Sequence, residues 1–229
     1  MSVILIMLIK PTKIHQVLAF LFSLLYNQVM VYVFSIPVKI TGGIAEITVY
    51  RRKMAAVSVN LEYINGLIID NNIDMVVKIC YGSNKENYKY ITDYLLELIN
   101  KTNNPLIRNT IALIFMDLKF DNAVPIIVSL INNPKNKGVT GTLIYALEDL
   151  NCANDIKKII HILFDGSYES KFNLYLLLKK KVRDMNNDDI EFCLNTIQNS
   201  KMELCEDSDL IMDVKSVLEY NSNNRLLKL

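Results

Sequence analysis

Tryptophan is missing from this 229-residue chain, and glycine (7), proline (5) and histidine (2) are scarce. So little glycine and proline excludes a collagen-like or low-complexity chain, and an apolar share of 51% excludes a disordered one. Net charge is nearly absent as well. Lysine and arginine number 25 against 24 acidic residues, so the formal charge of +1 gives no reason to expect nucleic acid as a partner. The four cysteines, Cys80, Cys152, Cys193 and Cys205, form no CxxC or CxxH pair. That spacing suits neither a zinc site nor a disulfide framework, and it fits reduced, buried thiols in a cytoplasmic protein.

Catalytic motifs are lacking too. His161 has no second histidine or glutamate at metal-ligand spacing, and His15 lies far away in a different kind of sequence. Ser58, Ser167 and Ser170 sit in no GxSxG elbow, and Gly42-Gly43 belongs to no GxxxxGK[ST] phosphate loop. Lys179-Lys180-Lys181 with Arg183 is the one dense basic run. It reads as a solvated helix end, where cations favour the C-terminal dipole, ahead of a phosphate contact. The expectation is a non-enzyme with no cofactor or metal.

What the chain does have is one apolar pattern repeated at a nearly fixed interval. Ile91, Tyr94, Leu95 and Leu98 stand at i, i+3, i+4 and i+7. Val124, Ile127, Val128 and Ile131 repeat that spacing, as do Ile156, Ile159, Ile160 and Leu163, and then Ile190, Cys193, Leu194 and Ile197. Successive copies are offset by 33, 32 and 34 residues. Each quartet is one face of an α-helix, and a face recurring at that interval marks stacked helical repeats. Each pair has an apolar face that it cannot bury alone, so neighbours must stack. Preceding helices match as well: Leu143, Ala146, Leu147 and Leu150 copy Ile111, Ile114, Phe115 and Leu118 at an offset of 32. Pro105 suits a helix start, Asp121 or Asn122 a cap, and Asn154 repeats Asn122. Gly138 and Gly141 depart from the pattern. Either that helix begins after Gly141, or close packing there requires a missing side chain. The next pair is less regular and is expected to begin with Phe172, Tyr175, Leu176 and Lys179.

Asn104-Pro105-Leu106-Ile107-Arg108 opening one helix, Ala112 within it, and Asp121-Asn122-Ala123-Val124-Pro125 opening its partner resemble the HEAT or armadillo-like repeats, more narrowly the short bacterial HEAT-type proteins. The resemblance covers roughly residues 85 to 200. It implies an all-α fold, a right-handed α-solenoid of about three to four helix pairs. It also implies a protein-binding role as a scaffold, adaptor or immunity-type binder.

Residues 1–53 read differently, as a non-repeat hydrophobic segment ahead of a repeat domain at 54–229. Ile14 to Ile36 contains no Asp, Glu, Lys or Arg and is long enough to span a bilayer, although Asn27 and Gln28 interrupt it. Three readings compete: a membrane anchor with the repeats on the cytoplasmic side, an irregular cap on the first repeat, or an extension upstream of a true start at Met54. Val38 to Val49 is β-branched on either side of Thr41-Gly42-Gly43 and fits a hairpin.

Acidic residues crowd the C-terminal fifth, including Asp184, Asp188, Asp189 and Glu191. That edge would steer a basic protein partner. Asp117 and Asp149 recur at one repeat position. They read as a ladder that binds neighbouring backbone amides, or as a row that binds a ligand. These six carboxylates are the expected partner-binding residues. A membrane-tethered scaffold is the alternative function.

Overall fold

The computed structural model describes residues 3–6, 34–35, 38–41, 44–51, 59–200 and 207–226. The chain forms two compact units, one of residues 1–60 with 78–88, the other of 61–77 with 89–229.

In the first unit, four short strands are described: β1 (Val3–Ile6), β2 (Phe34–Ser35), β3 (Val38–Thr41) and β4 (Ile44–Arg51). β4 is central and pairs antiparallel with the other three. The β-branched runs flanking residues 42–43 do pair, with Thr41 opposite Ile44 and Val38 opposite Ile47. The segment read as a membrane span lies outside the described residues, apart from β2. Among the described residues no helix is long and apolar enough to cross a membrane.

From residue 61 onward every regular element described is helical. α1 (Leu61–Ile69), α2 (Ile73–Gly82) and α3 (Lys85–Lys101) come first. α4 (Pro105–Asp117) has its start signals in place. Asn104 is extended, its Oδ1 accepts the Leu106 N–H at 2.9 Å, and Pro105 fills the first helical position, where its missing N–H costs nothing. The end of α4 is a Schellman turn, in which Lys119 N–H bonds the Met116 carbonyl and Phe120 N–H the Phe115 carbonyl. The Phe115 and Phe120 rings stack 5.3 Å apart beneath it. Lys119 sits there at φ 50°, a left-handed conformation that suits glycine better. Lys119→Gly should therefore raise stability by about 0.5–1 kcal/mol in urea unfolding. A loss of stability would show that the lysine side chain outweighs its backbone strain.

A single 3₁₀ turn (Asp121–Ala123) leads into α5 (Val124–Ile131). Neither Asp121 nor Asn122 caps that helix with its side chain, contrary to the sequence expectation. Asp121 reaches into the next repeat instead, where its Oδ1 accepts the Asn151 N–H at 2.8 Å. Gly138, at φ 87°, turns the chain toward α6 (Gly141–Ala146). The helix begins on Gly141 and not after it, and the close neighbour there is the flexible, exposed Glu169 side chain of the next pair. A Cβ at that position would lie 2.4 Å from its Oε1. Asn173 Nδ2 meanwhile donates to the Gly141 carbonyl at 3.0 Å.

The third quartet is buried as expected, but its helical form differs. Ala153–Ile159 is a 3₁₀ helix, followed by a short α7 (Ile162–Asp165). No side chain caps its start at Cys152. A 3₁₀ helix stacks every third residue on one line. Ala153, Ile156 and Ile159 form such a line, and all three are buried. The apolar spacing here satisfies the tighter helix as well as the α-helix.

α8 (Tyr168–Lys181), α9 (Asn187–Gln198) and α10 (Ser208–Leu226) complete the chain. In α8 the sequence reading picked the wrong stripe. Leu174, Leu177 and Leu178 are buried, whereas of the expected residues Phe172 and Lys179 are exposed and Tyr175 and Leu176 half-buried. In the second unit, α1 packs on α4, α4 on α6, α6 on α8 and α8 on α10. The partner helices pack in the same order, α5 on Ala153–Ile159 and that segment on α9.

Side-chain polar bonds cross between repeats at about the repeat length. Thr140 and Ser170 share a hydroxyl hydrogen bond 30 residues apart, and Lys180 bonds Asp149 across 31. Lys157 bonds Asp189 across 32, and Lys171 bonds Asp207 across 36.

Candidate interaction surface

α9 begins where a sequence of this kind should begin a helix. Asn186 is extended and its Oδ1 accepts the Asp189 N–H at 2.7 Å. Asp188 and Asp189 then place negative charge against the positive end of the helix dipole. Ile190, Cys193 and Ile197 are buried, so the helix is fixed by its apolar face. Asp188, Glu191, Phe192 and Asn195 are exposed on another side. Their spacing of i, i+3, i+4 and i+7 makes one continuous strip.

The two neighbouring aspartates of this helix have opposite fates. Asp189 is 2% exposed. Its Oδ1 accepts from Lys157 Nζ at 2.5 Å, and its Oδ2 accepts from Asn186 Nδ2 at 2.9 Å. That carboxylate joins two repeats and is turned away from any partner. Asp188 lies open beside it, as does Asp184 just upstream. Of the expected C-terminal edge, Asp184, Asp188 and Glu191 face solvent and Asp189 does not.

Asp117 and Asp149 form a second set, each at the end of a first helix in its pair. Lys180 donates to Asp149 Oδ1 at 2.7 Å and lies 3.6 Å from Glu148 Oε2. Its hydrogen bond holds the Asp149 carboxyl below the usual range, and the same bond raises the lysine. Asp117 shifts upward, first by desolvation and then through the charges of Asp74 and Asp149. The carboxylate found on a neighbouring backbone amide is Asp121, with Asp149 bound to a lysine instead.

Phe192 went unremarked in the sequence because it falls one residue off the buried quartet. It is 51% exposed, with acidic residues before it on the same strip. An aromatic that misses the stripe is the signal that would have found it. A second exposed row lies on α8, where Tyr168 and Phe172 stack at 6.3 Å and Phe172 and Tyr175 meet at 6.2 Å. Lys179 Nζ stands 5.2 Å over the Tyr175 ring. The basic run is taken up by the last turn of α8, with Lys180 in its ion pairs.

His161 is exposed and lines a shallow cleft of ≈190 Å³ with Asn132, Lys137, Thr140 and Asp165. Lys137 and Asp165 approach to 3.8 Å there. Among the described residues no group of three or more His, Cys, Asp or Glu could hold a metal ion. Cys80, Cys152 and Cys193 are buried and free. Burial pushes their thiols up, to about 11, about 11 and about 12 respectively. Such thiols are poor nucleophiles and poor metal ligands at neutral pH. Cys205 lies outside the described residues.

Neither family models, curated proteins nor solved structures give a match to this chain.

Proposed function

We propose that the second unit is a right-handed, HEAT-like α-solenoid. On this reading it is a non-enzymatic protein-interaction module, an adaptor, scaffold or immunity-type binder. Two features support the solenoid: helices that pack in two sequential rows, and polar bonds recurring at the repeat length. One observation carries the binding role, the half-exposed Phe192 on α9 with Asp188 and Glu191 on the same strip. Neither acid forms an ion pair among the described residues, and both are exposed. An aromatic anchor within a charged rim is the pattern of an interface hot spot. The charges select a basic protein surface and speed its approach.

The test is a pull-down with the full chain at low and high salt, followed by binding measurements on the partner recovered. Phe192→Ala should weaken binding by at least tenfold, since hot-spot truncations cost about 2 kcal/mol or more. Asp188→Lys with Glu191→Lys should slow association and abolish its salt dependence. A partner that binds all three forms equally, at any ionic strength, would remove α9 from the interface.

A further inference from the structure

The first turn of α4 contains an unmatched charge. Arg108 is 4% exposed. Its Nε is buried with no hydrogen-bond partner, and no salt bridge reaches it among the described residues. Burial lowers its pKa through desolvation. A buried cation without a counter-charge is among the costliest arrangements a fold can hold.

The neighbouring repeats show how this position is normally settled. Thirty-two residues on from Arg108 stands Thr140, whose hydroxyl bonds Ser170 at 2.9 Å. At the corresponding place in α8, the buried Lys171 is bonded to Asp207 at 2.7 Å. Only the α4 member of this row keeps a charged donor without an acceptor among the described residues. Moreover, Arg108 is the fourth residue of a 13-residue helix. That places it in the first turn, at the positive end of the helix dipole. The arginine and the dipole thus place positive potential in one turn, where Asn104 already accepts the Leu106 N–H and the guanidinium is the donor left over.

We propose that the first turn of α4 is a binding site for a small free oxyanion, phosphate or sulfate in size and charge, held by Arg108. The guanidinium fork matches the paired oxygens of such an ion. Because Arg108 is only 4% exposed, the proposal is for a small dissolved ion and not for a bulkier ester of the same group. This site is separate from the strip on α9, and its failure would leave that reading untouched.

The experiment is thermal unfolding of the full chain titrated with inorganic phosphate against chloride at constant ionic strength. The expected result is a saturable rise in Tm, on the order of 5 °C at saturation. Arg108→Met should abolish the rise and melt higher than the parent in chloride, because it removes a buried unpaired charge. Glycerol phosphate should give no rise. A wild-type Tm that ignores phosphate overturns the proposal without reference to any variant. An equal rise in wild type and Arg108→Met also overturns it, since that marks a general salt effect. If Arg108→Met does not fold, calorimetric titration of the wild type decides, and no saturable heat with phosphate sinks the site.

Discussion

Ile159→Asp should abolish cooperative unfolding of this protein or lower its Tm by roughly 10–20 °C. Ile159 has no exposed surface. It closes the 3₁₀ segment Ala153–Ile159, which packs on α5 before it and α9 after it. Removing the isoleucine forfeits about 1.5–3 kcal/mol of burial, and an unpaired carboxylate at the same place adds several more. Domains have only about 5–15 kcal/mol in hand, so this one change is comparable to the whole stability. The damage need not be global, because this segment packs chiefly on α5 and α9. The calorimetric trace should broaden or split as the flanking pairs lose a common seam. Ile159→Val, by contrast, should cost about 0.5–1.5 kcal/mol and keep a single transition. An unchanged melting curve for the aspartate variant would remove the basis for every buried face assigned here.

Asp189→Ala should cost about 2–3 kcal/mol, whereas Asp188→Ala should stay within about 0.5 kcal/mol of the parent. The two residues are chemically identical neighbours, so the contrast isolates environment. Asp189 loses bonds to Lys157 and Asn186 from a site that is 2% exposed. Lys157 remains partly in water and regains hydration, which keeps the loss below that of a fully buried ion pair. The helix cap itself survives, because Asn186 accepts from the backbone of residue 189 and not from its side chain. A double-mutant cycle with Lys157→Met assigns the shared part. Equal effects at the two positions would mean that the inter-repeat bond contributes nothing to stability.

The helices were legible because burial follows the 3.6-residue period with little interference. Val124, Ile127, Val128 and Ile131 are all buried where the spacing placed them. In α8 the same rule misled, because the aromatics Phe172 and Tyr175 imitate a core stripe and pack on each other at the surface. The 3₁₀ form of Ala153–Ile159 was hidden by a coincidence of spacing that both helix types accept. The candidate surface was only half visible. Charge counts find an acidic region, yet nothing in Asp188-Asp189 says which carboxylate turns inward, because the deciding partner, Lys157, lies 32 residues earlier. Arg108 looked like one more residue of a repeat motif. Its isolation shows only against the satisfied groups at the same place in the following repeats.

The bond between Lys171 and Asp207 sets a limit on how this chain can be shortened. Cutting before α10 would uncover the apolar side of α8 and remove the carboxylate that Lys171 is bonded to. A fragment ending at residue 200 should therefore expose an apolar face and tend to aggregate. Anyone designing a minimal version for crystallisation or fusion has to carry the last helix along, or replace Lys171 with an uncharged residue first.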